Sequence, residues 1–517
     1  MPPATSEEVL LGVILTLSLT AAAPEAPGAS TRVEIDLSDA WVPRMLADDP
    51  GLGDIGRQPY RAEFLRLENH PDRDERFLEL YGIPPSVTRV GQRLLDRDRQ
   101  ACHRAVDSAP LRAEQAPERA IVASAQAHLR CEALFEREPD GNLDAATVAG
   151  LRAFQREQAI IGSAPLDEET RAALAVDARE LDFRALLRVL RERVIDATGV
   201  IEDGSASGRR GTVLGRQLDC RELRWTDRLP ALPDGAPDLV SALTEAAARA
   251  LGWTDPDAAA ATFRSAGAGG LQRTAVLLPA PPPDHGPEMA LRAEIVTGGR
   301  RPELRLIARV PRGPGGTGEV VLVRWPTTKG GWQAEKTGPD SVEMKLKTSA
   351  MGSFVWRDLI TAPAWFPPPT TPDEELVRKT PSGFRLNREA VGPGYRSAYG
   401  LVMLVHHRPP LVWTDSETPP PLADAQTRTH GTANLRSVVH GSSHGCHRLH
   451  SGLAVRLASF LLAHRRAVRR GPLVAHYRRT VEWEGQRGVL RADARGYLFE
   501  LTPPVPVRVA ARPASPR

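Results

Sequence analysis

The residues best suited to chemistry lie in one short segment, which runs from His430 to His450 and reads HGTANLRSVVHGSSHGCHRLH. Cys446 follows Gly445 in a predicted turn between a strand and a helix, 16 positions after His430. A thiol is a weak nucleophile until it is a thiolate, and a nearby imidazole or helix N-terminus lowers its pKa. This spacing predicts that Cys446 is a nucleophile and that His430 is its base.

The same turn offers donors for an oxyanion. Gly445 lets the backbone turn tightly, so that the N–H groups of Gly445 and Cys446 can converge on one point. Backbone N–H groups placed in this way stabilise the negative charge of a tetrahedral intermediate. The pattern therefore indicates covalent cysteine catalysis.

Metal binding is the competing interpretation, because zinc takes histidine and cysteine ligands. Five such residues are crowded here: His440, His444, Cys446, His447 and His450. Three of them, His444, Cys446 and His447, fall within one turn and cannot all point to a single tetrahedral centre without strain. We therefore expect no metal and no other cofactor, while a purely structural Cys446 remains a further alternative.

The segment resembles the signature of the L,D-transpeptidase (YkuD-type) catalytic domain, which pairs an H-G-T element with an S-x-G-C-x-R element. The first element is matched by His430, Gly431 and Thr432, and the second by Ser443, His444, Gly445, Cys446 and Arg448. The resemblance covers roughly residues 291–480. It implies a β-rich, sandwich-like catalytic domain with Cys446 as nucleophile, His430 as base and no metal.

The resemblance also implies a substrate and a mechanism. The substrate is peptidoglycan, and the thiolate attacks the carbonyl of the third residue of a tetrapeptide stem. The terminal D-alanine leaves, and the thioester passes to an amine of a neighbouring stem, giving a 3→3 cross-link. Backbone N–H groups around His444, Gly445 and Cys446 hold the oxyanion, while Gly431 orients His430 through its backbone.

Three further motif residues have supporting roles in this interpretation. Ser443 and Thr432 support the loop, and Arg448 either contacts a substrate carboxylate or braces the loop; we favour the brace. In the resembling family the region before the H-G element forms a lid or wall over the substrate. Tyr399 and Trp365 are therefore candidate wall residues, with ordinary core packing as the alternative.

Other outcomes of the same chemistry stay open. Water as acceptor gives an L,D-carboxypeptidase, and a lipoprotein lysine gives an anchoring enzyme. A non-catalytic wall-binding scaffold is the alternative from another class. His430 and Cys446 at matching spacing argue against an idle domain.

A helical module precedes this region. Between Ile121 and Leu174, helical periodicity is interrupted by an Asp-Gly turn, and an Asp-x-x-Thr helix start occurs twice. The module resembles the three-helix peptidoglycan-binding domain, and a generic helical linker domain is the alternative. The matching residues are Asp140, Gly141, Asp144, Thr147, Leu151, Phe154, Gln155 and Thr170.

These patterns predict a multidomain α+β protein, with an N-terminal helical peptidoglycan-binding-like module and a C-terminal mainly-β L,D-transpeptidase-like domain. The predicted divisions are a signal peptide over 1–29, a region of unknown role over 30–118, the peptidoglycan-binding-like domain over 119–178, a helical extension with a Pro-rich linker over 179–288, the catalytic domain over 289–485, and C-terminal strands with a tail over 486–517.

Composition and the N-terminal segment give expectations about the partners of the protein and its cellular compartment. A net charge of +3 over 517 residues gives no case for nucleic acid as a partner. The run VLLGVILTLSLT, followed by three alanines, resembles a signal peptide and is too short to span a membrane. We expect a secreted or periplasmic, wall-associated protein without a membrane span. Pairing among Cys102, Cys131 and Cys220 cannot be deduced from sequence.

Overall fold

The computed structural model describes residues 30–38, 41, 87–158, 160, 164–207, 239–267, 271–279, 289–298, 302–312, 316–338, 341–380, 383–394, 396–409, 422–432 and 434–512. The predicted signal peptide and Cys220 lie outside these residues. Within them the chain combines many helices with one large mixed sheet, so the predicted α+β class is confirmed. No helix in the described ranges is long and apolar enough to cross a membrane.

The first half of the chain is mainly helical. Its α-helices are α1 (Val87–Leu95), α2 (Arg97–Ala105), α3 (Ala109–Arg112), α4 (Glu118–Cys131), α5 (Ala145–Glu157), α6 (Glu168–Leu174), α7 (Ala178–Thr198), α8 (Leu239–Ala250) and α9 (Pro256–Ala266). The expected three-helix unit corresponds to α4, α5 and α6, which share a small apolar core with α3.

Both predicted helix starts are capped as their sequences require. The Asp144 carboxylate accepts a hydrogen bond from the Thr147 N–H at 2.9 Å, and Asp167 accepts one from the Thr170 N–H at 3.0 Å. Each capping pair also receives a glutamine from the preceding helix, since Gln126 donates to the Thr147 hydroxyl and Gln155 to that of Thr170. The repeated Asp-x-x-Thr motif is therefore a repeated structural unit.

A second helical core joins segments that are far apart in sequence. Strand β1 (Ser30–Asp36) pairs antiparallel with β2 (Arg273–Pro279), and both pack against α1, α7, α8 and α9. Part of the region of unknown role thus shares a core with the predicted helical extension. That extension also ends in a strand, which we missed because the prolines directly after β2 suggest a linker.

A buried ion network connects α1, α2 and α7 with Glu132, the residue directly after α4. Arg99 binds Glu132 at 2.6 Å and also contacts Asp182, while Arg93 reaches Asp182 at 3.0 Å. His103 lies 2.6 Å from Glu132. These five residues are hereafter the ion network. Beside it, Cys102 and Cys131 form a disulfide, which resolves the pairing that the sequence left open.

The second half of the chain is built on strands. They are β3 (Ala290–Val296), β4 (Glu303–Arg312), β5 (Gly316–Pro326), β6 (Lys329–Gly330), β7 (Trp332–Gly338), β8 (Ser341–Leu346), β9 (Gly352–Thr361), β10 (Val377–Thr380), β11 (Gly383–Leu386), β12 (Val402–Arg408), β13 (Ala423–Thr432), β14 (Ser442–Ser443), β15 (His447–His450), β16 (Arg466–Trp483) and β17 (Gln486–Ala510). Its α-helices are α10 (Arg388–Val391), α11 (Leu435–His440) and α12 (Ser451–His464).

Nine strands form the main sheet, in the order β15-β13-β12-β9-β17-β3-β4-β5, with β16 paired to β17. Strand β17 lies in the middle of this sheet, between β9 and β3. The predicted boundary at residue 485 therefore does not divide the structure, because the C-terminal strand belongs to the core of the main sheet. Local pattern indicates a strand there but does not reveal its partners.

The sequence from Gly452 to Arg470, rich in Leu and Ala with arginines at its end, predicts one helix, but the helix ends at His464. Residues from Arg466 onward form β16, which pairs with the other end of the domain through β17. The sequence around Arg466 is compatible with either structure, and this long-range pairing decides for the strand. Helix α12 packs against β12, β13 and β15 within the main core.

A long insertion follows β9 and ends before β12. Its ends are joined by a hydrogen bond from the Ala362 N–H to the Leu401 carbonyl at 2.8 Å. The insertion contains β10, β11 and α10, and it packs on β16 and β17. It delivers residues 396–400 to the edge of β13.

The helical half contacts the sheet through the segment after α7. Asp203 accepts a hydrogen bond from the Trp325 indole N–H at 2.8 Å, and the Arg324 N–H donates to the Ser205 hydroxyl at 3.0 Å. Arg456 of α12 binds Glu192 of α7 at 2.7 Å. The two halves therefore share buried polar contacts.

Candidate active site

Two neighbouring strands bring the predicted nucleophile and base together. Strands β13 and β15 are parallel, with His430 opposite Arg448 and Thr429 opposite His447. Because side chains alternate along a strand, His430 and Arg448 share one face of the sheet. Cys446 lies directly before β15, and its thiol is close to β13, because the backbone N–H of Arg428, two residues before His430, acts on it.

The opposite face belongs to the core. The His406 ring lies 2.8 Å from the Thr429 hydroxyl and stacks beside His447, with 5.5 Å between ring centroids. His447 is buried, and its Nδ1 lies 2.9 Å from the Thr328 carbonyl. His407 lies 3.0 Å from Asp358. Each of these three histidines has a structural partner.

Cys446 does not stand at a helix start, contrary to our expectation. Strand β15 occupies residues His447–His450, and α12 begins only at Ser451. The polar end of that helix is therefore not adjacent to the thiol. Of the two means of lowering the thiol pKa that we considered, only the imidazole remains, and the charges of Arg428 and Arg448 act in addition to it.

The loop over residues 441–446, here called the catalytic loop, is held by hydrogen bonds. The Ser443 hydroxyl lies 2.6 Å from the Cys446 carbonyl, which also accepts from the Thr328 hydroxyl at 2.8 Å. The Ser349 hydroxyl donates to the Gly445 carbonyl at 2.9 Å. Ser443 therefore supports the loop, and Thr328 and Ser349 are two further supports that sequence reasoning missed.

Glycine is required at position 445. Its φ of +113° lies in a region that other residues rarely adopt, and an added Cβ would approach the Thr348 carbonyl oxygen to 3.1 Å. Its N–H donates to the Ser443 hydroxyl at 3.1 Å. That donor is already engaged, which corrects our expectation that it serves an oxyanion; the N–H groups of His444 and Cys446 are left for this role.

The tautomer of His430 follows from its hydrogen bond. Nδ1 lies 2.7 Å from the Gly431 carbonyl oxygen, which can only accept, so Nδ1 carries the proton. In a neutral imidazole Nε2 is then the free base. Burial, reinforced by the charge of Arg448, lowers the pKa of His430 to about 3, so the ring is neutral at physiological pH.

The Cys446 thiol is half-buried and protonated at rest. Burial raises its pKa, against the opposing effects of the Arg428 backbone N–H and the charges of Arg428 and Arg448. Within the described residues no hydrogen bond joins its sulfur to His430. The thiol and the base thus lie close to the same strand, β13, without forming an ion pair before substrate binds.

Arg448 combines a braced backbone with an unpaired side chain. Its N–H donates to the Thr328 hydroxyl at 2.9 Å, and its carbonyl accepts from the Thr327 hydroxyl at 2.9 Å. The guanidinium makes no hydrogen bond with the described residues, and its Nε is buried without a partner. Its charge acts on Cys446 and Glu375. The backbone, and not the side chain that we favoured, is the brace.

Gly431 and Thr432 follow His430 on β13. A Cβ at Gly431 would lie 3.3 Å from the Ser451 Cα and 3.4 Å from the Ala454 Cβ, so glycine allows α12 to approach this strand closely. Thr432 is buried, and its hydroxyl accepts the Asn434 N–H at 3.0 Å. Both residues position the strand end that carries His430.

The two candidate wall residues occupy different places. Tyr399 lies edge-on to the His430 ring with 4.9 Å between centroids, and burial, with the Cys446 charge, raises its pKa to about 12. Trp365 is half-buried and packs against the cluster of Leu376, Val391, Val481 and Leu490 in the insertion and its support. Tyr399 is thus beside the site, and Trp365 has a core-packing environment.

The remaining histidines of the segment differ in their exposure to solvent. His440 and His444 are exposed, whereas His447 and His450 are buried. Burial of part of its ring, together with the charges of Arg448 and Lys347, lowers the pKa of His444, against the opposing effect of Glu335. No group of three or more histidine, cysteine or carboxylate side chains is arranged to hold a metal ion among the described residues.

Comparison of the chain with models of known protein families gives no match, and comparison with curated proteins gives no significant relative. The chemistry of the site therefore has to be argued from its own residues. These are a buried neutral histidine with a free Nε2, a neutral thiol close to the same strand, and an unpaired cation next to both.

Proposed function

We propose that this protein is a cysteine-dependent L,D-transpeptidase that acts on peptidoglycan stem peptides through a thioester acyl-enzyme. The observation that supports the proposal is the parallel register of β13 and β15, which sets His430 opposite Arg448, with Cys446 two residues before Arg448 and under the influence of the Arg428 N–H of β13. The motif resemblance supplies the substrate class. The proposed architecture is a peptidoglycan-binding-like module, α4 to α6, in front of the catalytic domain, in an exported protein.

The reaction begins with two neutral groups. As the Cys446 sulfur attacks the carbonyl carbon of the third stem residue, Nε2 of His430 takes the thiol proton. A C–S bond forms, and the tetrahedral oxyanion is held by the backbone N–H groups of His444 and Cys446. The C–N bond to the terminal D-alanine then breaks, and the imidazolium returns the proton to the leaving amine.

The second half-reaction transfers the acyl group. An amine of a neighbouring stem attacks the thioester, His430 takes its proton, and the C–S bond breaks to give the cross-link and the free thiol. Water in place of the amine gives a hydrolysed stem. The Gly431 carbonyl keeps Nδ1 protonated in both steps and so stabilises the transient imidazolium.

The positive charge of Arg448 suits a reaction in which negative charge develops on the Cys446 sulfur. Its guanidinium is not neutralised by an ion pair with the described residues, and its charge favours the thiolate-like transition state. Placed beside the nucleophile, it is also available for a substrate carboxylate. We assign both roles to the same unpaired side chain.

Intact-mass spectrometry with a carbapenem tests the proposal. The thiol should open the β-lactam ring and add the whole molecule once to the wild type, whereas Cys446→Ala should gain no mass. Ser349→Ala keeps the thiol and loosens the catalytic loop, so it should still form the adduct, more slowly. A reduced, folded wild type that stays unmodified would overturn the enzyme assignment.

Incubation with a disaccharide tetrapeptide then identifies the acceptor. A dimer lighter than two donors by one D-alanine supports transpeptidation, while a monomer that has exchanged D-alanine for water contradicts it and makes the protein an L,D-carboxypeptidase. The Cys446→Ala variant is the blank for both products.

A further inference from the structure

The hairpin of β7 and β8 carries a cluster of exposed apolar side chains. Nine large apolar residues of the described chain are strongly exposed, and four of them lie in this hairpin, Trp332 on β7 and three on β8. On β8 these are Val342, Met344 and Leu346, with exposed fractions of 56%, 59% and 57%. All of β8 is exposed, and its pairing partner among the described strands is β7 alone. Such an edge is a template for another strand.

The other face of β8 carries two charged side chains that form no ion pair within the described chain. Glu343 and Lys345 form no hydrogen bond or ion pair with any described residue. Glu343 stands directly opposite Glu335, and like charges at such positions repel. Lys347, the nearest cation of the hairpin to Glu335, is already bound to that residue. Glu343 therefore faces a carboxylate across the strand pair, and the charge of Lys345 beside it also acts on Glu335.

We propose that β8 pairs antiparallel with β8 of a second copy of this chain, in a register centred on Met344. The sequence Val342-Glu343-Met344-Lys345-Leu346 is self-complementary in this register. Glu343 of each copy faces Lys345 of the other, so both charges gain a counterion. On the opposite face Val342 meets Leu346, and Met344 meets its own symmetry mate. The two hairpins become one four-stranded sheet.

Neighbouring registers lack this complementarity. Centring the pair on Glu343 or on Lys345 places identical charges opposite each other, which is destabilising. Moving one strand by a single residue brings apolar side chains onto the charged face. Only the Met344 register satisfies charge and apolar pattern together, and this charge complementarity favours a second copy over a peptide or lipid surface.

The dimer has a consequence for the candidate active site. The charged face of the hairpin is the one turned to the catalytic loop, because the Gln333 side chain lies 3.5 Å from the Ser442 hydroxyl. The hairpin base is also attached to this loop, through a hydrogen bond from the Gly331 N–H to the Ser443 carbonyl at 3.1 Å. A two-fold axis perpendicular to the joined sheet keeps both catalytic loops on one side of it.

Sedimentation equilibrium of the full chain tests the pairing. A contact of this size is expected to associate reversibly between roughly 1 and 100 μM. Glu343→Lys gives two lysines and Lys345→Glu gives two glutamates in every self-pair, so each single variant should raise the dimer dissociation constant at least about tenfold. The double variant Glu343→Lys/Lys345→Glu restores the opposite charges and should dimerise again.

A mixture of the two single variants gives a further test of the register. Each is expected to be monomeric alone, but mixed together they regain both ion pairs and should form a heterodimer. Asp493→Lys, at a side chain 89% exposed on β17, raises the net charge by the same amount as Glu343→Lys and should leave the dimer intact. Far-UV circular dichroism verifies that every variant is folded, and because it does not use Cys446, the outcome of this test is independent of the proposed function.

Three results would overturn the proposal. One is a wild type that stays monomeric over the whole range, and another is a dimer that both single variants retain. The third is a monomeric wild type that binds phosphatidylglycerol vesicles and loses binding on Trp332→Ser, because the apolar row would then serve a lipid surface.

Discussion

The ion network of the helical half and the candidate active site are both buried polar clusters, but they treat charge differently. In the ion network Glu132 and Asp182 each face arginines, and Arg99 contacts both carboxylates. In the candidate site the thiol and the imidazole are both neutral, and the guanidinium of Arg448 has no ion pair with the described residues.

If the proposed function holds, this difference separates a stabilising cluster from a reactive one. Buried charges are tolerated when each has an opposite charge and a hydrogen bond, and such a cluster resists change. A site that must create charge during a reaction needs groups that are neutral at rest and a cation that is not already neutralised. The following predictions test whether the two clusters behave in these two ways.

The largest effect is expected at the base. His430→Gln removes the group that accepts the Cys446 proton, so the rate of carbapenem acylation should fall by about 10²- to 10⁴-fold. His440→Gln removes an exposed histidine ten residues away and should keep the wild-type rate. The pair of variants is compared by stopped-flow or timed mass spectrometry. Equal rates for both variants would remove His430 from the mechanism.

The next effect concerns stability. Glu132→Gln leaves Arg99 and Arg93 without one of their two buried carboxylates, which should cost about 3–5 kcal/mol of unfolding free energy in the helical half. Glu138→Gln breaks an exposed pair with Arg130 and should cost under about 1 kcal/mol. Urea unfolding followed by tryptophan fluorescence measures both. A similar small loss in the two variants would show that the ion network is not stabilising.

The smallest effect is the pH dependence of the thiol. Because burial raises the Cys446 pKa above the usual value of a thiol, the thiolate fraction at neutral pH is small. Iodoacetamide alkylation should therefore rise about tenfold per pH unit and continue to rise past about pH 9. The measurement uses Cys220→Ser, since Cys102 and Cys131 are disulfide-bonded. A plateau reached below pH 8 would indicate a preformed thiolate.

Local sequence signals predicted a large part of the fold. The Asp144 and Asp167 helix starts are capped as expected, since a capping carboxylate acts on an N–H group only three residues away. The runs LRAEIV, LRLIARV, EVVLVRW and LVMLVHH have the alternation or the β-branched residues of strands, and β3, β4, β5 and β12 occupy them. Such signals are readable because cause and effect lie within a few residues.

The same local patterns did not predict the features that depend on pairing with distant segments. The central position of β17, the pairing of β1 with β2 and the end of α12 at His464 all depend on partners more than 30 residues away. Thr328 and Ser349 hold the catalytic loop from about 100 residues upstream, where nothing in their own neighbourhood marks them. Loop supports of this kind are visible only once the chain is folded.

By itself, the sequence determined which groups are present for chemistry: a cysteine behind a glycine, with a histidine 16 residues before it. Only the tertiary structure decided their state. The pKa values of Cys446 and His430 are set mainly by burial, and burial depends on segments such as the Tyr399 loop and β12 that close over the site. Residue type is local information, whereas desolvation is a property of everything packed around it.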